Sequence, residues 1–123
     1  MQVYSAICPP SVSQKAAVAA LRGDQACVEE MRKEHNKRRP YLVNRLNDMG
    51  IPTVMPRGAF YAFPNISKYG KSEAVWKLLL EKAQVSTTPG TAFGRHGEGY
   101  LRFSYANSLE NIQKALDNIE KVM

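Results

Sequence analysis

Cysteine and histidine are scarce in this 123-residue sequence, which has two of each: Cys8 and Cys27, His35 and His96. The cysteines form neither a C-x-x-C pair nor a disulfide framework, so they are read as reduced thiols of a cytoplasmic protein. Two imidazoles with no second ligand at metal spacing exclude a zinc site, and no metal is expected. Long apolar runs are also missing. No stretch approaches the roughly 18 residues needed to span a bilayer. The first eight residues, Met1 to Cys8, lack the basic start and apolar core of a secretory signal. Acidic residues are outnumbered by basic ones, 11 against 17, for a formal net charge of +6. Such a balance can mark a nucleic-acid partner. Here the densest basic cluster, Arg32-Lys33 and Lys37-Arg38-Arg39, is interleaved with Glu29, Glu30 and Glu34. At helical spacing this is a solvated face carrying i,i+4 pairs, and neither nucleic acid nor membrane is expected as a partner.

What is present is the composition of an ordinary globular chain, 44% hydrophobic and 23% charged, long enough for one compact core. Ser11-Val12-Ser13-Gln14 fits a capping box after Pro9-Pro10, opening an alanine-rich helix that stops at Gly23. Asp24 is placed to cap a second helix, with Cys27, Met31, Leu42, Leu46 and Met49 near one face and Gly50 as its terminator. Pro40 predicts a kink or break in that helix. Residues 51–55 and 59–63 read as short strands bounded by prolines. Ser72 is expected to cap a helix whose apolar side is Val75, Trp76, Leu79, Leu80 and Ala83. Residues 85–88 read as a strand running into the Pro89-Gly90 turn. Residues 100–105 are the clearest strand, with Leu101, Phe103 and Tyr105 alternating against Tyr100, Arg102 and Ser104. Ser108 then caps a last helix with the stripe Leu109, Ile112, Leu116, Ile119 and Met123. This order predicts an α+β fold, a small, mainly antiparallel sheet covered by helices.

Arg102 stands out chemically. It sits in the middle of an apolar strand, and a guanidinium presents a planar fork of donors that matches a carboxylate; the alternative is an arginine on the wet face of a half-exposed sheet. The stretch Pro89 to Gly99 is glycine-rich, yet it matches neither dinucleotide nor P-loop spacing, so it reads as a turn-rich connection. His96 and Glu98 within it are candidates for proton transfer or simply polar loop residues. Gly58-Ala59-Phe60-Tyr61 places a flexible residue before two aromatics, either core residues or, at Phe60, a substrate-facing ring.

Together these segments resemble the C-terminal part of class I/II, fold type I aminotransferases, most closely their aspartate/aromatic branch. The match is carried by Pro9-Pro10-Ser11-Val12-Ser13-Gln14, Gly58-Ala59-Phe60-Tyr61-Ala62-Phe63-Pro64, Pro89-Gly90-Thr91-Ala92-Phe93-Gly94 and Gly97-Glu98-Gly99-Tyr100-Leu101-Arg102-Phe103-Ser104-Tyr105-Ala106, in that order. The resemblance implies the small-domain fold of these pyridoxal 5'-phosphate (PLP) enzymes. Residues 1–24 would be a helical remnant bordering the large cofactor domain, and residues 25–123 the C-terminal small domain. It implies that Arg102 grips the α-carboxylate of an amino-acid or 2-oxo-acid substrate, with Phe60 lining the pocket. It also implies a homodimer, because the segment from Tyr4 to Cys8 matches one that lies near the partner subunit's active site. The family's Schiff-base lysine belongs upstream of the Pro-Pro region. Ser67-Lys68-Tyr69-Gly70 imitates that motif but comes too late and lacks the Gly-x-Arg that follows it. No catalytic or cofactor-binding residue is therefore expected in this chain, which should be inert alone, with PLP bound only in a full-length enzyme. No arginine occurs among residues 2–8, where some aspartate-specific members hold the distal carboxylate, so aspartate and aromatic substrates both stay open. The aminotransferase-like body of a transcription regulator, or a PLP-dependent lyase, would share these features.

Overall fold

The computed structural model describes residues 8–123. The chain divides into two compact units, one ending at Lys33 and the other running from Glu34 to Met123. In the first unit, helix α1 (Ser11–Arg22) buries none of its residues. The expected capping box does not form. Pro10 occupies the N-cap, and the Gln14 side chain donates to the Pro9 carbonyl at 2.9 Å instead of reaching back to a backbone N–H. Asp24 does act as expected, accepting the Ala26 N–H at 2.9 Å where α2 (Ala26–Asp48) begins.

The expected break at Pro40 does not occur, and α2 continues through it as one helix. The proline removes one intrahelical bond, while Leu42, Val43 and Leu46 in the next turns are locked in the core. Fully burying each such side chain contributes about 1.5–3 kcal/mol, enough to hold the helix together across the gap. The stripe expected further upstream is not used, since Cys27 and Met31 are exposed. The interleaved acids pair as their spacing implies: Arg32 with Glu29, Lys37 with Glu34, and Arg38 with Glu34. Helix α2 ends in a Schellman motif. Gly50, at φ 74°, donates to the Asn47 carbonyl, and Ile51 donates to that of Leu46.

Residues 51–55 are not a strand. The Asn47 carboxamide both accepts the Thr53 N–H at 2.8 Å and donates to the Thr53 carbonyl at 3.1 Å. Those are the groups a sheet partner would have used, while Ile51 is buried all the same. Ile51 and Thr53 alternate as buried positions with exposed Pro52 and Val54, so the segment looks like a strand in sequence although its Thr53 backbone is satisfied by a side chain.

The sheet has three short antiparallel strands in the order β1 (Tyr61–Ala62), β3 (Leu101–Ser104), β2 (Thr88–Pro89). Helix α3 (Ser72–Leu78) widens into a π-helical turn, Leu79–Ala83, and stops at Gln84 in a left-handed conformation. Ser72 is the first residue of α3 and not its cap. Helix α4 (Leu109–Glu120) is capped by Ser108, which accepts the Asn111 N–H. Its Ile112, Leu116 and Ile119 are buried, and Arg45 of α2 reaches Asp117 and Glu120 at 2.9 and 3.0 Å. The apolar faces of α2, α3 and α4 meet the inner face of the sheet in one core. The expected α+β fold, a small antiparallel sheet covered by helices, is what the chain forms.

Because Asn47 alone satisfies both backbone groups of Thr53, Asn47→Ala is expected to destabilise the chain by about 1–3 kcal/mol. Urea unfolding monitored by circular dichroism measures this; an unchanged midpoint would show that the side chain does not substitute for a strand.

Candidate functional site

The register of β3 determines what surrounds Arg102. Residues directly opposite one another in an antiparallel pair share a face of the sheet. Ala62 pairs with Phe103 and Pro89 with Leu101, and Ala62, Leu101 and Phe103 are buried on the core side. Tyr61 pairs with Ser104 and Thr88 with Arg102, so Tyr61, Thr88, Arg102 and Ser104 share the other face.

On that face the guanidinium carbon of Arg102 lies 4.3 Å from the centre of the Tyr61 ring and 4.8 Å from that of Phe93. Both distances are in the range of cation–π attraction. Among the described residues its side-chain hydrogen bond runs from Nη2 to the Thr88 hydroxyl at 3.3 Å. Among the described residues no carboxylate pairs with it, in contrast to Arg32, Arg38 and Arg45. A half-buried guanidinium without a counter-ion, held by ring faces, keeps most of its donors for an incoming planar anion.

Phe93 is carried by a 3-10 turn, Gly90–Phe93, and its ring meets the edge of Phe63 at 6.1 Å. Phe63 in turn stacks on Tyr100 at 5.3 Å. The loop from Gly90 to Gly99 is pinned where Gly90 and Gly97 cross. A Cβ on either would collide with the carbonyl of the other, which is why both are glycine. Ser72, fully buried, holds the loop's far end, its hydroxyl accepting the Gly99 and Tyr100 N–H groups at 2.9 and 3.2 Å. Glu98 completes the anchor by accepting the Ser72 N–H at 2.8 Å and the Gly99 N–H at 3.1 Å.

Glu98 is therefore not loose polar decoration but the acid that caps α3. The hydrogen bond from the Ser72 N–H, with a smaller one from Gly99, holds its carboxyl below the usual carboxylate range. His96 is exposed, takes a bond from Arg95 Nε at 3.2 Å, and has no hydrogen bond to Arg102.

Phe60 is about 39% exposed and packs between His35, at 6.0 Å, and Tyr61, at 4.5 Å. The ring against Arg102 is thus that of Tyr61, the next residue, and Phe60 stands beside it. The left-handed backbone position falls not at Gly58 but one residue later, at Ala59, with φ 58°. There the Tyr105 hydroxyl donates to the Ala59 carbonyl at 2.9 Å, and burial pushes that phenol's pKa up, against a smaller opposing pull from the charge of Arg39. Thr88 and Phe93 were not singled out in the sequence. The period of β3 marks the face of Arg102, but only the pairing register and the turn bring those two side chains to it. Lys68 is exposed and lies over the Tyr69 ring at 5.4 Å, as a surface lysine does. A cavity of about 450 Å³, lined by Gln84, Phe103, Asn111 and Lys114 among others, does not include Arg102. Tyr4 to Ile7 of the segment matched to a subunit contact lie outside the described residues.

Comparison with known proteins accords with this geometry. A family model described as "Aminotransferase class I and II" matches residues 1–119, and the chain belongs to that family. The chain is 49% identical to an aspartate aminotransferase of Pyrococcus abyssi, over 99% of its own length and 32% of the relative's. It is 47% identical to aromatic-amino-acid aminotransferase 2 of Thermococcus litoralis, again over 99% of its own length and 32% of the relative's. Among solved structures, an aromatic aminotransferase from Pyrococcus horikoshii OT3 superposes with a TM-score of 0.93 at 46% identity, covering 98% of this chain and 33% of that one. The chain thus spans about a third of the length of the relatives it matches.

The capping role of Glu98 predicts a pH dependence. Its lowered carboxyl adds stability that is complete above the ordinary carboxylate range and is lost as pH falls through the lowered value. Urea midpoints of the native chain and of Glu98→Gln, taken across that acid range, should converge as pH falls. Parallel curves would contradict the cap.

Proposed function

We propose that this chain is the carboxylate-binding part of a PLP-dependent aminotransferase, which moves an amino group from an amino acid to a 2-oxo acid. The observation that carries the reading is the Arg102 guanidinium, held by two ring faces and a hydroxyl and without a counter-ion among the described residues. Both substrates of a transamination bear a carboxylate on the carbon next to the reacting centre, so one planar receptor serves both half-reactions. Fixing that carboxylate at two points removes rotational freedom from the substrate and sets which of its bonds faces the reactive group. Relatives named for aspartate and for aromatic amino acids match about equally well, which fits aspartate or aromatic substrates for this protein.

The described residues do not fit the cofactor. Lys68, in the segment that imitates the family's lysine motif, is exposed over the Tyr69 ring. We therefore assign no step on the cofactor to this chain, whose part is binding and orientation. In the proposed arrangement residues 1–24 border the large cofactor domain, residues 25–123 form the small domain, and Phe60 lines the substrate pocket beside Tyr61. The full-length enzyme is read as a cytoplasmic homodimer. Two exposed free thiols, Cys8 and Cys27, fit a reducing compartment, and no helix among the described residues is long and apolar enough to cross a membrane.

In the full-length protein, Arg102→Ala is expected to lower kcat/KM by the equivalent of about 3–5 kcal/mol, the range for removing one partner of a buried charged pair. Steady-state kinetics with aspartate and with aromatic amino acids measures this. A kcat/KM unchanged for all of them overturns the assignment.

A further inference from the structure

We propose that Tyr61 and Phe93 are positioning residues that hold the Arg102 guanidinium in its binding geometry through their ring faces, and thereby set carboxylate affinity equally for every substrate. This rests on the carboxylate-binding reading of Arg102.

A mobile arginine needs something to hold it, and the usual partner is a carboxylate. Here that solution would defeat the purpose, because a resident anion competes with the incoming one for the same donors. Ring faces avoid the conflict. They attract the cation through the π system and offer no in-plane acceptor, so the N–H edge stays unused. Both rings lie within 5 Å of the guanidinium carbon, at 4.3 and 4.8 Å, and among the described residues its polar contact is to the Thr88 hydroxyl.

The rings themselves are held. Tyr61 is fixed by the pairing of β1 with β3 and by contact with Phe60. Phe93 leans on Phe63, which stacks on Tyr100, and its turn is closed by the bond from the Gly90 N–H to the Tyr100 carbonyl at 2.8 Å. Yet Phe93 remains about 53% exposed, more than a ring serving only the core would be. Its exposure also makes it replaceable without opening a cavity.

The test uses the full-length holoenzyme with Phe93→Leu, Phe93→Tyr and Tyr61→Leu, and with Arg102→Ala as a control. Leucine keeps apolar bulk but removes the π face, and tyrosine restores it. Phe93→Leu and Tyr61→Leu should each raise KM for the amino acid and for the oxo acid in parallel, by about 3- to 30-fold, with kcat nearly unchanged. The dissociation constants of two non-reacting carboxylates with different side chains, maleate and 3-phenylpropionate, should rise by the same factor. Phe93→Tyr should behave as the native protein does. Native KM values in Phe93→Leu, while Arg102→Ala is impaired, overturn the ring-face role and leave the carboxylate reading standing. A shift for one side-chain class alone makes Phe93 a specificity residue and overturns the proposal as well. If Arg102→Ala is itself without effect, both fall together.

Discussion

The arrangement depends on one constraint, the alternation of a four-residue strand whose two faces meet opposite environments. Leu101 and Phe103 are pulled into the core beneath α2 and α4, and the pleat then forces Arg102 to the other side. Its position is thus set by the burial of its neighbours more than by any bond of its own. A one-residue slip of β3 would bury the charge and expose two large apolar side chains. The deep burial of Leu101 therefore serves the site as well as the core.

The second requirement is a wall for that face, and the chain builds it from loops pinned by polar atoms. Ser72 and Glu98 gather the start of α3 and the approach to β3 into one hydrogen-bonded node, and the Gly90–Gly97 crossing closes the loop between. The node places Phe93 and Tyr100 where the described residues form only short strands. Its centre, the Ser72 side chain, is fully buried, and a buried hydroxyl is costly to leave without its partners. The sheet positions the arginine, and the node positions the aromatic ring against it.

Much of this was legible in the sequence, and the parts that were not share a cause. The period-two pattern of β3, the Ser108 cap of the last helix with the Ile112, Leu116 and Ile119 part of its stripe, and the helices ending near Gly23 and Gly50 follow from local rules and appear in the structure. Leu109 of that stripe is exposed, and Met123 lies past the helix end. The misreadings arose where a side chain far away in sequence, or a polar group in an unexpected role, supplied what local chemistry was expected to. Asn47 took a strand partner's place at Thr53, Glu98 took over the cap assigned to Ser72, and the core residues after Pro40 kept α2 intact. At the site, Arg102 could be picked out because an arginine in an apolar strand is anomalous. Thr88 and Phe93 could not, since a threonine before a Pro-Gly turn and a phenylalanine after it are unremarkable until the register brings them to the guanidinium.

A crystal structure of the full-length protein with a non-reacting amino-acid analogue bound should show both carboxylate oxygens about 2.7–2.9 Å from nitrogens of Arg102, with the guanidinium still against Tyr61 and Phe93. A carboxylate held by other groups, with Arg102 still bonded to Thr88 alone, would contradict the account.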